Sequence, residues 1–217
     1  MGVNEIIFES NIFNFEEEGK MKKSVIFATN IFQFKNENLA TEIKKYILNK
    51  EIKGIESNVA SVIKHNLDES KFTFLLEENE VIEKTKSFFA KCLKDSFNDL
   101  RKENNNYKVG ITESWYHVGR KNSSHDAHIH SNCSWCGIFY IDPGDLNSGG
   151  ETFFNHPIQS TFSDSMTIHK EETAFAVKPE IGKLVIFPSY LSHFQSLYTG
   201  NKDRIVVAFN CRVDEIL

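Results

Sequence analysis

What this chain lacks narrows it first. It has no excess of basic charge: 25 Lys and Arg stand against 30 Asp and Glu, for a formal net charge of −5. That gives no electrostatic reason to expect nucleic acid as a partner. No apolar run approaches the ~20 residues of a membrane span, so no membrane partner is expected. The opening residues carry Glu5 and Glu9 and no apolar h-region, which argues against a secretory signal. The expectation is a soluble, cytoplasmic protein. Cysteine is scarce too: Cys92, Cys133, Cys136 and Cys211 are the full set. Cys133 and Cys136 form a CxxC pair, but no second pair completes a four-thiolate zinc site. A redox CxxC wants a helix N-terminus to lower the thiol pKa, whereas Cys133 to Ile141 reads as a strand. Residues three apart on a strand face opposite sides, so ordinary buried thiols are expected.

Against two Trp stand nineteen Phe, which points to an aromatic-rich core. The length of 217 residues fits one domain with an N-terminal elaboration. In the first half, Ser24 to Ala28 and Asn30 to Phe34 look like strands. Asn36 can cap a helix whose apolar residues fall at Leu39, Ile43, Tyr46 and Ile47. The polar stretch 54–70 reads as loop. Glu80 to Leu100 carries the longest helical stripe, with Val81, Ile82, Thr85, Phe88, Phe89, Cys92, Leu93 and Phe97 on one face. Residues 101–106 read as a turn or linker.

After Tyr107 the texture changes to short β-rich runs: 109–118, 126–131, 134–141, 151–155, 174–178, 183–187, 193–198 and 204–213. Gly, Pro, Asn and Asp punctuate them. Strands at this density, with no helical pattern between them, predict a jelly-roll or cupin-like double-sheet barrel. The fold class is therefore mainly β, with an N-terminal α/β elaboration and flanking helices. The 157–173 segment reads as a long loop over the site mouth. No internal repeat is present.

The chemistry concentrates in the last ninety residues. His128 and His130 alternate on a strand, so both can face one ion. His193 can close a three-ligand face with open positions for a cosubstrate and oxygen. Arg204 follows on the next strand, placed for a two-pronged grip on a carboxylate. Asp126 and Glu151 are the carboxylates nearest in sequence that could stand in for an imidazole. His117, His156 and His169 read as pocket or surface residues, His65 as surface, His125 as a loop residue, and Trp115 and Trp135 as core or pocket wall.

Glu113-Ser-Trp115, His128-Ile-His130 and Gly137-Ile-Phe-Tyr140 together resemble the 2-oxoglutarate/Fe(II)-dependent oxygenases of marine bacteria and phages, within the prolyl-hydroxylase-like superfamily. Lys178-Pro-Glu-Ile-Gly-Lys-Leu-Val-Ile-Phe-Pro-Ser-Tyr-Leu-Ser-His193 is similar to the family's metal-histidine strand, and Arg204 to Asn210 to its arginine strand. The resemblance covers about 107–213. It implies a double-stranded β-helix over 107–213; with 1–106 as α/β support, the length fits one oxygenase domain spanning 1–217. It also implies Fe(II) on His128, His130 and His193, and 2-oxoglutarate as cosubstrate on Arg204 and Tyr140. No further catalytic residue is expected, ascorbate would support turnover in vitro, and the substrate would be a peptide, amino acid or small metabolite. A homodimer is left open. Better-known superfamily members carry His-x-Asp where this chain has His130, and many relatives carry Ser or Thr where it has Val206. Two alternatives follow: a cupin-type three-histidine dioxygenase without 2-oxoglutarate, and a binding module without catalysis.

Overall fold

The computed structural model describes residues 28–52, 63–100, 107–157 and 174–215. Helix α1 (Glu37–Ile52) starts where expected. Asn36 accepts the backbone N–H of Leu39 at 3.1 Å, satisfying one of the orphan donors at the helix start. Its apolar residues Leu39, Ile43 and Ile47 are buried. Helix α2 (Glu80–Leu100) buries the expected stripe from Val81 to Phe97. Two hydroxyls on that stripe bond back to their own helix, Thr85 to the Val81 carbonyl and Ser96 to that of Cys92. The stripe is thus buried without unpaired polar atoms at those positions.

Nine strands are seen among the described residues: β1 (Phe32–Lys35), β2 (Lys64–Glu69), β3 (Tyr107–His128), β4 (Trp135–Asp142), β5 (Thr152–Asn155), β6 (Ala174–Val177), β7 (Lys183–Pro188), β8 (His193–Tyr198) and β9 (Arg204–Glu215). They form one antiparallel sheet in the order β1-β7-β4-β9-β3-β8-β5-β6, with β2 on β3. Alternation divides its faces. Tyr116, Val118, Phe139, Ile141, Ile205, Val207 and Phe209 join the helices in the main core. Phe89 of α2 anchors that contact, edge-on to Phe139 and 4.7 Å from the ring of Phe209. Trp115, His117, Arg204 and Val206 line a cavity on the other face.

Several expectations needed correction. The run at 109–118 and residues 126–128 of the next are one strand, because β3 continues through 119–125 with bulges and a positive φ of 65° at Asn122, and it ends at His128, so 129–131 are not strand. Part of the expected loop at 54–70 is β2. Its sequence Lys-His-Asn-Leu-Asp-Glu lacks alternation because it is bulged between His65 and Leu67. The sulfurs of Cys133 and Cys136 do not face apart. Cys133 precedes β4, so strand alternation does not apply, and the two lie 3.8 Å apart as free thiols. The expected linker at 101–106, most of the strand at 24–28 and nearly all of the loop at 157–173 lie outside the described residues. No helix among the described residues is long and apolar enough to cross a membrane.

Candidate active site

His128 ends β3 and His193 opens β8, and the antiparallel register sets them directly opposite each other. His130 lies two residues past His128, where its backbone N–H donates to the Ser189 carbonyl at 3.2 Å. The three imidazoles bring ligand atoms within 4.8 Å of one another. His128 Nδ1 donates to the Asp126 carbonyl at 2.8 Å, and His193 Nδ1 to the Leu191 carbonyl at 3.0 Å. Each of these two rings thus holds its proton on Nδ1 and keeps an Nε2 lone pair for a ligand, the arrangement metal-binding imidazoles adopt. Burial lowers all three pKa values: His130 to about 4, His193 to about 3, and His128 in the same direction. Neutral imidazoles at neutral pH are what a divalent metal needs.

No carboxylate joins the cluster among the described residues. Asp126 is exposed and faces His65 at 3.4 Å. Glu151 accepts a hydrogen bond from Ser196 at 2.7 Å. His125, expected in a loop, belongs to β3 and stacks on His128 with ring centres 4.1 Å apart. His117 lines the cavity but is held by Glu69 at 2.5 Å, and Lys64 completes that buried group with a 2.5 Å contact to the same carboxylate.

Arg204 opens β9 and is 2% exposed. Its Nη1 donates to Gln195 Oε1 at 2.8 Å, while Nε is buried without a partner. No carboxylate among the described residues pairs with it. Gly150, at φ +81°, gives it room: a Cβ there would sit 3.0 Å from the Arg204 Cδ and Nε. The guanidinium lies 5.4 Å from the centre of the Tyr140 ring. The Tyr140 hydroxyl donates to Thr152 Oγ1 at 2.6 Å, and burial raises its pKa, so it stays a phenol. Sequence reasoning missed Thr152 and Gln195. Gln195 shares the strand face of His193 two residues on, a signal that alternation could have supplied.

Residues 113–210 match the family model described as "Putative 2OG-Fe(II) oxygenase". That segment is just under half of the chain and is similar to the 2OG-Fe(II) oxygenase family. Solved structures agree in fold. A prolyl-4-hydroxylase from Pseudomonas putida is 13% identical with a TM-score of 0.59, over 85% of this chain and 93% of its own. A Trichoplax adhaerens prolyl hydroxylase, in complex with a hypoxia inducible factor peptide fragment, is 16% identical with a TM-score of 0.58, over 83% of each chain. HygX from Streptomyces hygroscopicus, with nickel and 2-oxoglutarate bound, is 12% identical with a TM-score of 0.53, over 85% of this chain and 83% of its own. No curated protein matches the chain in sequence. The matched model is described by Fe(II) and 2-oxoglutarate, the two groups against which the site's residues can be tested. The residues present suit both. Three converging neutral imidazoles suit ferrous iron, and a buried guanidinium with an orphaned Nε suits a carboxylate.

Proposed function

We propose that this chain is a hydroxylase that uses Fe(II) and 2-oxoglutarate on a peptide, amino acid or small metabolite. Arg204 carries the reading: a buried cation with an unpaired Nε and no carboxylate partner among the described residues, on the cavity that holds the imidazole trio. An unpaired buried charge is costly unless a ligand completes it. His128, His130 and His193 hold the metal. When bound, the metal would let O₂ act as oxidant, one oxygen atom entering succinate as 2-oxoglutarate loses CO₂ and the other entering a substrate C–H bond as a hydroxyl.

The chain's own residues bind and orient. Arg204 keeps its Nη1 bond to Gln195 and offers its free Nε edge to the distal carboxylate of 2-oxoglutarate. Tyr140 lies beside that guanidinium. Its hydroxyl donates to Thr152, which leaves the Thr152 hydrogen free for the carboxylate and replaces the hydroxyl that Val206 lacks. Phe187 packs edge-on to His193 at 4.7 Å and Phe154 flanks the same ring, which keeps water off that side. The core at 107–213, supported by 1–106, acts as one oxygenase domain. Turnover of 2-oxoglutarate to succinate with Fe(II) and ascorbate tests the proposal. No succinate and no 2-oxoglutarate binding by the iron-loaded protein would sink it.

One observation favours a second reading. The cluster has three imidazoles and no carboxylate among the described residues, as in cupin-type dioxygenases that use no 2-oxo acid. Arg204→Ala separates the two: it cripples an enzyme that uses 2-oxoglutarate and matters less to the alternative.

A further inference from the structure

Three buried side-chain polar atoms among the described residues have no hydrogen-bond partner: Arg204 Nε, His125 Nε2 and Trp115 Nε1. All three residues line the same cavity. The distal carboxylate of the diacid accounts for Arg204, and Trp115 has a separate donor to satisfy. In the β3–β9 register Gly119 stands opposite Arg204 and Trp115 opposite Ala208. The two side chains therefore start four residues apart on one sheet face, roughly 13 Å at the usual strand rise. A five-carbon diacid has four C–C bonds and spans at most about 6 Å between its carboxyl carbons. The carboxylate that Arg204 grips and the indole therefore belong to opposite ends of this face of the sheet. Trp115 is 5% exposed, and its N–H can only donate. Its acceptor is supplied by a molecule that enters the cavity.

The surroundings of Trp115 indicate what enters. Its ring lies beside His130, with centres 5.9 Å apart, and edge-on to Phe72 at 5.0 Å. The next residue pair on the same face is Glu113 opposite Asn210. These two line a polar pocket of about 300 Å³ that also includes His130. That volume is at the lower end for small-molecule sites. Asn210 Nδ2 donates to Glu113 Oε2 at 2.8 Å, while Cys136 Sγ donates to Asn210 Oδ1 at 3.4 Å, which fixes the amide orientation. No Lys or Arg among the described residues pairs with Glu113. An unneutralised carboxylate thus stands one residue pair beyond a buried, unpaired N–H, and His130 borders both.

We propose that the substrate carries an ammonium next to a carbonyl or carboxylate oxygen, as free amino acids and peptide amino termini do. The oxygen accepts from Trp115 Nε1 and the ammonium pairs with Glu113, at the end of the cavity away from Arg204. This assignment rests on the oxygenase reading and names its substrate class.

The test uses full-length protein loaded with Ni(II) and 2-oxoglutarate. The probes are L-amino acids, short peptides with a free amino terminus, and the N-acetylated form of each. Binding is read by thermal shift and calorimetry, and comparing amino acids with peptides distinguishes the two sources. At least one free-amine probe should bind, and N-acetylation should weaken it about tenfold or more. In Glu113→Gln, acetylation should cost nothing further. Trp115→Phe keeps the ring and removes the N–H, and should weaken the probe about three- to tenfold. If that variant does not fold, exposed Glu113 decides through the acetylation comparison. Acetylated probes binding as well as free ones, or no free-amine probe binding, would overturn the proposal. Succinate release by the Fe(II) protein is measured separately. Its absence with probe binding intact sinks the oxygenase reading alone, and its presence with no free-amine probe bound sinks the subsite alone.

Discussion

Replacing Arg204 with Met separates the cost of holding a buried cation from its use. Met keeps an apolar stem beside Gly150 and removes the guanidinium. In the ligand-free protein two effects oppose each other. Gln195 Oε1 loses its donor, which costs about 1–3 kcal/mol. Removing a buried charge that lacks a carboxylate partner returns a similar amount. The net change should stay within about 1 kcal/mol, or roughly 2–4 °C in Tm for a chain of this size. With 2-oxoglutarate the balance tips. Hydrogen bonds to charged groups contribute about 1.5–3 kcal/mol each, so losing a two-pronged contact should weaken binding at least ~100-fold. At a concentration 100 times the wild-type Kd, the wild type gains about 2.7 kcal/mol, roughly 5–11 °C. At the same concentration the variant gains only about 0.4 kcal/mol, near 1 °C. Differential scanning calorimetry of the Ni(II)-loaded proteins, with and without 2-oxoglutarate, reads all four states. Equal 2-oxoglutarate shifts in wild type and variant would refute the assignment. A ligand-free variant that melts far below wild type would refute the view that this cation is a cost to the fold.

Two more predictions follow from the same geometry. His193→Ala removes one of the three converging imidazoles and should weaken metal binding by more than the ~10–100-fold typical of losing a hydrogen-bond partner behind a ligand; competition with a chelator measures it, and retention of wild-type affinity would exclude His193. The Glu69–His117 pair should make the fold acid-sensitive. Burial lowers the His117 pKa, so its contribution is present above the ordinary value of 6.5 and is lost as pH falls through the lowered one. His117→Gln can still donate to Glu69 but does not titrate, so its Tm should fall less than that of wild type between pH 7 and 5. Parallel profiles would show that His117 does not drive the acid response.

The parts of the site that could be read from sequence are those fixed by short-range geometry. His128 and His130 announce themselves by their two-residue spacing, although the strand ends at His128, and the helices by their apolar spacing, the first also by Asn36. The paired positions were harder to see. Thr152, Gln195 and Glu69 are ordinary polar residues in sequence, and each gains its place only through pairing with a distant strand or through burial beside one. His125 was misread because bulges and Asn122 hide the continuity of β3. β2 was missed because its polar sequence follows the local twist of a bulge and not a two-residue period. Trp115 could be read as a pocket wall, but only the packed structure reveals that its N–H is left without a partner.

The position of β9 bears on how the protein is made. It is the last described strand in chain order, yet it lies in the middle of the sheet, bonded to β4 on one side and β3 on the other. A chain emerging from the ribosome has His128 and His130 long before it has His193, and Arg204 arrives later still. Until β9 inserts, β3 and β4 each lack a neighbour and expose an open edge. Closure must await contacts between residues about a hundred positions apart, the kind of pairing that slows folding and leaves edges open to aggregation. The nascent chain therefore carries the paired histidines through synthesis without the arginine, and the complete site exists only once the sheet has closed.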